Sequence, residues 1–175
     1  MSLFNNKAPE QYFFKDDGKI PNSKYPVLIY RDVHKGKGDE AAAWYSDLFE
    51  KNGWTKSWRD SIYTFHHYHS TAHEVLGVYN GHALVQLGGE QGEQIDIKAG
   101  DVIVIPAGTG HRKISSDDDF SVVGAYAAGR DWDVLRGETR ERPQADKNIN
   151  ALPLPAADPL LGASRGLVKL WFIKA

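Results

Sequence analysis

The chain of 175 residues is 41% hydrophobic and 25% charged, which excludes an intrinsically disordered protein and sets the expectation of one globular domain. Its 21 basic and 23 acidic side chains give a net charge of −2 with no basic block, so neither nucleic acid nor an anionic membrane is expected as a partner. Cysteine is absent, which removes disulfides, thiolate nucleophiles and Cys-ligated zinc, and no apolar run approaches the roughly 18 residues of a spanning helix. The first residues show no charged segment leading into an apolar core, so no signal peptide is expected and the expected location is cytoplasmic.

In chain order, residues 1–56 read as an N-terminal arm, 57–128 as a core and 129–175 as a C-terminal arm. The apolar run at 26–31 predicts a strand. Asp39 is placed to cap a helix over 40–51, where Ala41, Trp44, Tyr45, Leu48 and Phe49 recur at helical spacing and Asn52-Gly53 supplies a stop. From residue 57 the period changes to two. Strands are predicted over 61–69, 74–79, 82–87, 93–97, 101–105, 111–115 and 120–127, with Asn80-Gly81 the strongest hairpin signal. Many short strands at this spacing imply an antiparallel sandwich or barrel. The stretch 129–165 has no clear periodicity, and the apolar residues 167–172 predict a last strand returning to the sheet.

Six of the seven histidines lie between residues 66 and 111, which directs the search for chemistry there. His67 and His69, two apart on a strand, project from one face, and Glu74 follows after a short loop. Downstream, Gly100, Pro106 and Gly108 re-aim the chain so that His111 opens a strand. Three imidazoles and a carboxylate converging inside a barrel suit a divalent first-row ion, and four protein donors leave two positions of an octahedral ion for substrate.

These two spacings resemble the paired motifs of the cupin superfamily. His67, His69, Glu74 and His111 fall on the ligand positions, and Gly81, Gly100, Pro106 and Gly108 on the framing ones. Gly-x5-Pro-x-Gly alone is expected on the order of once per four thousand starting positions at average composition. Ser61 stands where a glycine is common and Ser115 where an asparagine is common, so the pocket shape is expected to differ. The stretches 63–77 and 153–159 resemble the YjlB-type single-domain cupins, a group that brings no assigned reaction.

The resemblance implies an all-β fold: a cupin double-stranded β-helix, or jelly-roll barrel, with an N-terminal strand and helix and a C-terminal arm. It implies one divalent transition metal (Fe, Mn, Ni, Co or Zn) on His67, His69, Glu74 and His111, and a small-molecule ligand or substrate. The function expected is that of a metal-dependent enzyme acting on a small polar molecule, a dioxygenase by preference. Alternatives are a cupin isomerase or lyase, or a protein that binds or senses a small ligand without turnover. Glu74 and Tyr63 are the candidate proton-moving groups. His73, Lys113 and Tyr126 are candidates for the pocket or for support of the ligands, with His73 a possible substitute for Glu74. A homodimer is expected, with the 26–30 and 167–172 segments covering or exchanging sheet edges.

Overall fold

The computed structural model describes residues 7–172. In chain order it contains β1 (Glu10–Tyr12), β2 (Val27–Tyr30), α1 (Gly38–Lys51), β3 (Trp54–Asp60), β4 (Glu74–Asn80), β5 (His82–Leu87), β6 (Glu93–Lys98), β7 (Val102–Ile105), β8 (His111–Ser116), β9 (Ser121–Ala127), α2 (Gln144–Ala151) and α3 (Leu167–Leu170). A six-stranded sheet in the order β1-β2-β7-β4-β9-β3 faces a three-stranded sheet in the order β6-β5-β8, and all pairings are antiparallel. This is the all-β jelly-roll architecture expected from the period-two pattern.

The larger sheet is covered on both faces. Val27, Ile29, Leu76, Val78, Ile103 and Ile105 pack inward against Val85, Leu87, Ile95 and Ile97 of the smaller sheet. The alternate residues Leu28, Tyr30, Val75, Val102 and Val104 pack outward against Tyr45 and Phe49 of α1 and against Trp54 and Trp171. Burial on both faces explains why β2 and β7 read as unbroken apolar runs and not as alternating ones. Glu74 has the parity of Leu76 and Val78, so its carboxylate is delivered into the barrel between Ile105 of β7 and Tyr126 of β9.

Several expectations are corrected. Asn80-Gly81 does not close a hairpin, because β4 and β5 belong to different sheets; Gly81 (φ 73°) turns the chain from one sheet to the other. The 61–69 segment is not a regular strand. It meets β8 through an isolated bridge at His67 and a bond from the Lys113 amide to the Tyr63 carbonyl, and the C-terminal segment through a bridge at Tyr68; the strand before it lies earlier, at β3. Residues 167–170 are helical: Leu167 and Trp171, four apart, turn the same face inward and are fully buried. The 26–30 segment is interior to its sheet, between β1 and β7, so it covers an edge of its own chain. The α1 N-terminus carries Asp39 in its first turn without a side-chain cap bond; the carboxylate pairs instead with Arg59 at 3.3 Å.

Candidate metal centre

His67 is fixed by reciprocal backbone bonds with His111: its amide donates to the His111 carbonyl (3.2 Å) and its carbonyl accepts from the His111 amide (2.9 Å). That bridge brings the two imidazoles to a centroid separation of 4.0 Å. His69 is anchored two residues on, where its carbonyl accepts from the Gly108 amide at 2.8 Å. The ring nitrogens of His67, His69 and His111 that can serve as ligands lie within 4.8 Å of one another, and all three residues are buried.

Each ring is oriented by a backbone carbonyl. Nδ1 lies 3.1 Å from the Phe65 carbonyl in His67 and 3.0 Å from that of Thr109 in His111, and in His69 it faces the Asp133 carbonyl. A carbonyl only accepts, so Nδ1 carries the hydrogen and each neutral ring presents its lone pair at Nε2. The Nε2 atoms of His69 and His111 are buried without a hydrogen-bond partner. They lie 3.4 and 3.3 Å from the two Glu74 oxygens. Lone pairs facing a buried carboxylate repel unless a proton or a cation stands between them. The donor set therefore fits a metal ion.

The electrostatics show a demand for positive charge beside Glu74. Burial, with His111 alongside, pushes the His67 imidazolium down to about 2, which keeps its ring neutral. Burial would raise the Glu74 carboxyl, but the facing His69 and His111 more than offset it and hold it well below the usual carboxylate range. Burial likewise opposes a charged His69, and there the Glu74 carboxylate outweighs it and raises the ring.

A cavity of about 270 Å³ opens from this cluster to the surface. Its walls include Trp58, Tyr63, Leu76, Tyr126 and Trp132, with Arg59, Asp60 and Ser61 also lining it. Tyr126 is buried in the wall and accepts a hydrogen bond from Trp58 Nε1 at 3.0 Å. Trp132 stacks on Tyr126 with centroids 4.2 Å apart and an interplanar angle of 10°. Tyr63 is 53% exposed, edge-on to His67.

Two candidates lie elsewhere. His73 points out of the barrel, as residues adjacent in sequence must across a strand, and is not in the cluster. It is buried all the same, with Nδ1 accepting from the Ala107 amide at 2.9 Å and its ring 5.1 Å from that of Trp171. Lys113 does not line the cavity; its Nζ donates to Ser61 Oγ at 2.8 Å, one residue behind the wall.

Sequence reasoning missed Trp58, Trp132 and Asp133. Trp58 lies in a strand whose polar residues hid its period, and the segment holding Trp132 has no periodicity. The Asp133 contact with His69 is through a backbone carbonyl, which every residue carries, so no sequence signal could have marked it.

Residues 61–123 match the family model for the cupin domain. The uncharacterized protein YjlB of Bacillus subtilis (strain 168) is 42% identical over 166 residues, spanning 94% of this chain and 98% of that protein. The chain belongs to the cupin family. Two solved structures overlap this cupin more distantly. Acireductone dioxygenase from Bacillus anthracis, with a cadmium ion in its active centre, covers 65% of this chain and 79% of its own at 18% identity and a TM-score of 0.38. A predicted oxalate decarboxylase from Thermotoga maritima covers 73% and 97% at 16% identity and a TM-score of 0.35. No helix among the cupin's described residues is long and apolar enough to cross a membrane.

Proposed function

We propose that this cupin holds one divalent transition metal (Fe, Mn, Ni, Co or Zn) on His67, His69, Glu74 and His111 and transforms a small polar molecule beside it, by dioxygenase-type chemistry in preference. One observation carries the reading: two buried Nε2 atoms without a hydrogen-bond partner face the Glu74 carboxylate at 3.4 and 3.3 Å, a gap that calls for positive charge. A bound ion supplies Lewis acidity and positions open to substrate. The protein's own part is to fix the donors. The Phe65, Thr109 and Asp133 carbonyls set three tautomers, and Glu74 remains an anionic acceptor at neutral pH. The aromatic walls restrict water around the reacting molecule, and the Tyr63 hydroxyl, at the mouth, is the group proposed to move a proton to or from it.

Element analysis of protein purified without a metal-affinity step is expected to find close to one such ion per chain. Oxygen uptake with a panel of β-diketones, thiols, catechols and keto-sugars then separates the reactions. Turnover without oxygen uptake would establish an isomerase or lyase instead, and binding without turnover a small-ligand sensor. The assembly proposed is a cytoplasmic homodimer. It is supported by the open edges of β1 and β3 in one sheet and β6 in the other.

A further inference from the structure

The position where Ser61 replaces a common glycine acquires a use once the cavity is seen. Ser61 lines the cavity that holds the histidine cluster. Behind it, Lys113 Nζ lies 2.8 Å from Ser61 Oγ. An ammonium has three hydrogens and no lone pair, so the serine oxygen must be the acceptor of that bond. Its own hydrogen is then left to donate elsewhere, and among the described residues no protein acceptor takes it. A hydroxyl whose oxygen is engaged by a cation is also the stronger donor. Ser61 is thus a donor held at the cavity wall, with a positive charge one atom behind it.

The remaining walls define what lies between this donor and the metal ligands. Trp58, Tyr126 and Trp132 line the cavity with aromatic rings, and the Trp58 Nε1 and Tyr126 hydroxyl are engaged with each other. Such walls favour a flat, conjugated body. The cavity of 270 Å³ is about nine times the ~30 Å³ of a liquid water, the scale of one ring with its oxygen substituents. Three neutral imidazoles and one carboxylate around a divalent ion leave one unit of positive charge, which takes an anionic oxygen donor.

We propose that the ligand of this site is a small conjugated carboxylate with a second, distal oxygen acceptor, its anionic end at the metal and its distal end on Ser61 backed by Lys113. The inference rests on the metal-binding reading above.

The test uses the full chain loaded with Co(II), whose visible spectrum reports donors entering at the metal. Benzoate, isophthalate, terephthalate and cyclohexanecarboxylate are titrated in turn. A hydrogen bond to a charged group contributes on the order of 10- to 100-fold in affinity. At least one of the two dicarboxylates is therefore expected to bind at least 10-fold more tightly than benzoate, and benzoate more tightly than its saturated analogue. Ser61→Ala is expected to erase the dicarboxylate advantage while leaving benzoate unchanged, and Ser61→Thr, which restores the hydroxyl, to recover it. Lys113→Met should reduce the advantage. Equal binding of benzoate and both dicarboxylates, or an advantage that survives Ser61→Ala, would overturn the proposal with the metal reading intact. Failure of Co(II) to bind would overturn both.

Discussion

Glu74 on β4 and Tyr126 on β9 are direct cross-strand partners, both turned into the barrel. The phenol accepts from Trp58 Nε1 at 3.0 Å, which leaves its own hydrogen to point elsewhere, with the Glu74 charge beside it. Trp58 and Tyr126 thus stand along the cavity wall next to Glu74, the only anionic group of the proposed ligand set. Burial, with the Glu74 charge beside it, holds the phenol protonated far above its ordinary range.

Removing the phenol hydroxyl beside Glu74 should loosen the carboxylate without opening the fold. Tyr126→Phe is expected to weaken metal retention by about 10- to 100-fold, the usual cost of losing a partner behind a ligand. Competition with a chelator measures it, and a thermal unfolding midpoint of the chelated protein close to that of the parent would show that the fold is intact.

Glu74 and His73 are adjacent in sequence but face opposite sides of the sheet, and their substitutions should separate cleanly. Glu74→Ala removes the carboxylate that faces His69 and His111, and metal content after gel filtration is expected to fall to near zero. His73→Ala strips the acceptor from the buried Ala107 amide and should cost about 1–3 kcal/mol of stability while the metal remains. An emptied site in His73→Ala with an occupied one in Glu74→Ala would reverse the assignment.

Acid sensitivity should also reside partly in His73. Burial pushes its imidazolium down from 6.5 to about 4, with the Pro153 carbonyl opposing the shift. Between those values the unfolded chain binds a proton that the folded one refuses. The stability this group contributes is full above pH 6.5 and lost progressively as pH falls to about 4, by at most ~3 kcal/mol. Urea unfolding at a series of pH values should give a shallower acid decline for His73→Gln than for the parent.

Gly124 sits beneath Trp58, and a Cβ there would lie 2.3 Å from the indole carbons. The register shift in β3 between Thr55 and Trp58 aims the indole at this gap. Gly124→Ala should displace Trp58, break its bond to Tyr126 and cost about 1–3 kcal/mol by overpacking. A lowered thermal midpoint with a shifted tryptophan emission maximum is the expected result.

Much of the barrel was written in the sequence. From β4 to β9 the strands follow short alternating or apolar runs and the turns that bound them, and each residue's face is fixed by its parity. The ligand candidates were legible for the same reason: His67-x-His69, Glu74 and His111 carry their direction in their spacing. What the sequence could not determine was every choice made by a distant partner. Asn80-Gly81 reverses the chain equally well within a sheet or between two, and only the pairing of β4 with β7 and β9 decides which. The 167–172 run is too short to reveal its period. It becomes helical where the buried Asp158 carboxylate accepts the Leu167 amide and Leu167 and Trp171 find a common pocket. His73, next to Glu74 in sequence, faces out of the barrel by parity, but the C-terminal arm that returns over it leaves it buried. The same holds for the cavity. Its histidines were placed by local periodicity, whereas Trp132 and the Asp133 carbonyl arrive from 60 residues away, fastened by Thr71 Oγ1 to the Asp133 amide. Local spacing sets where a side chain points; the long-range hydrogen bonds and packing decide what it meets.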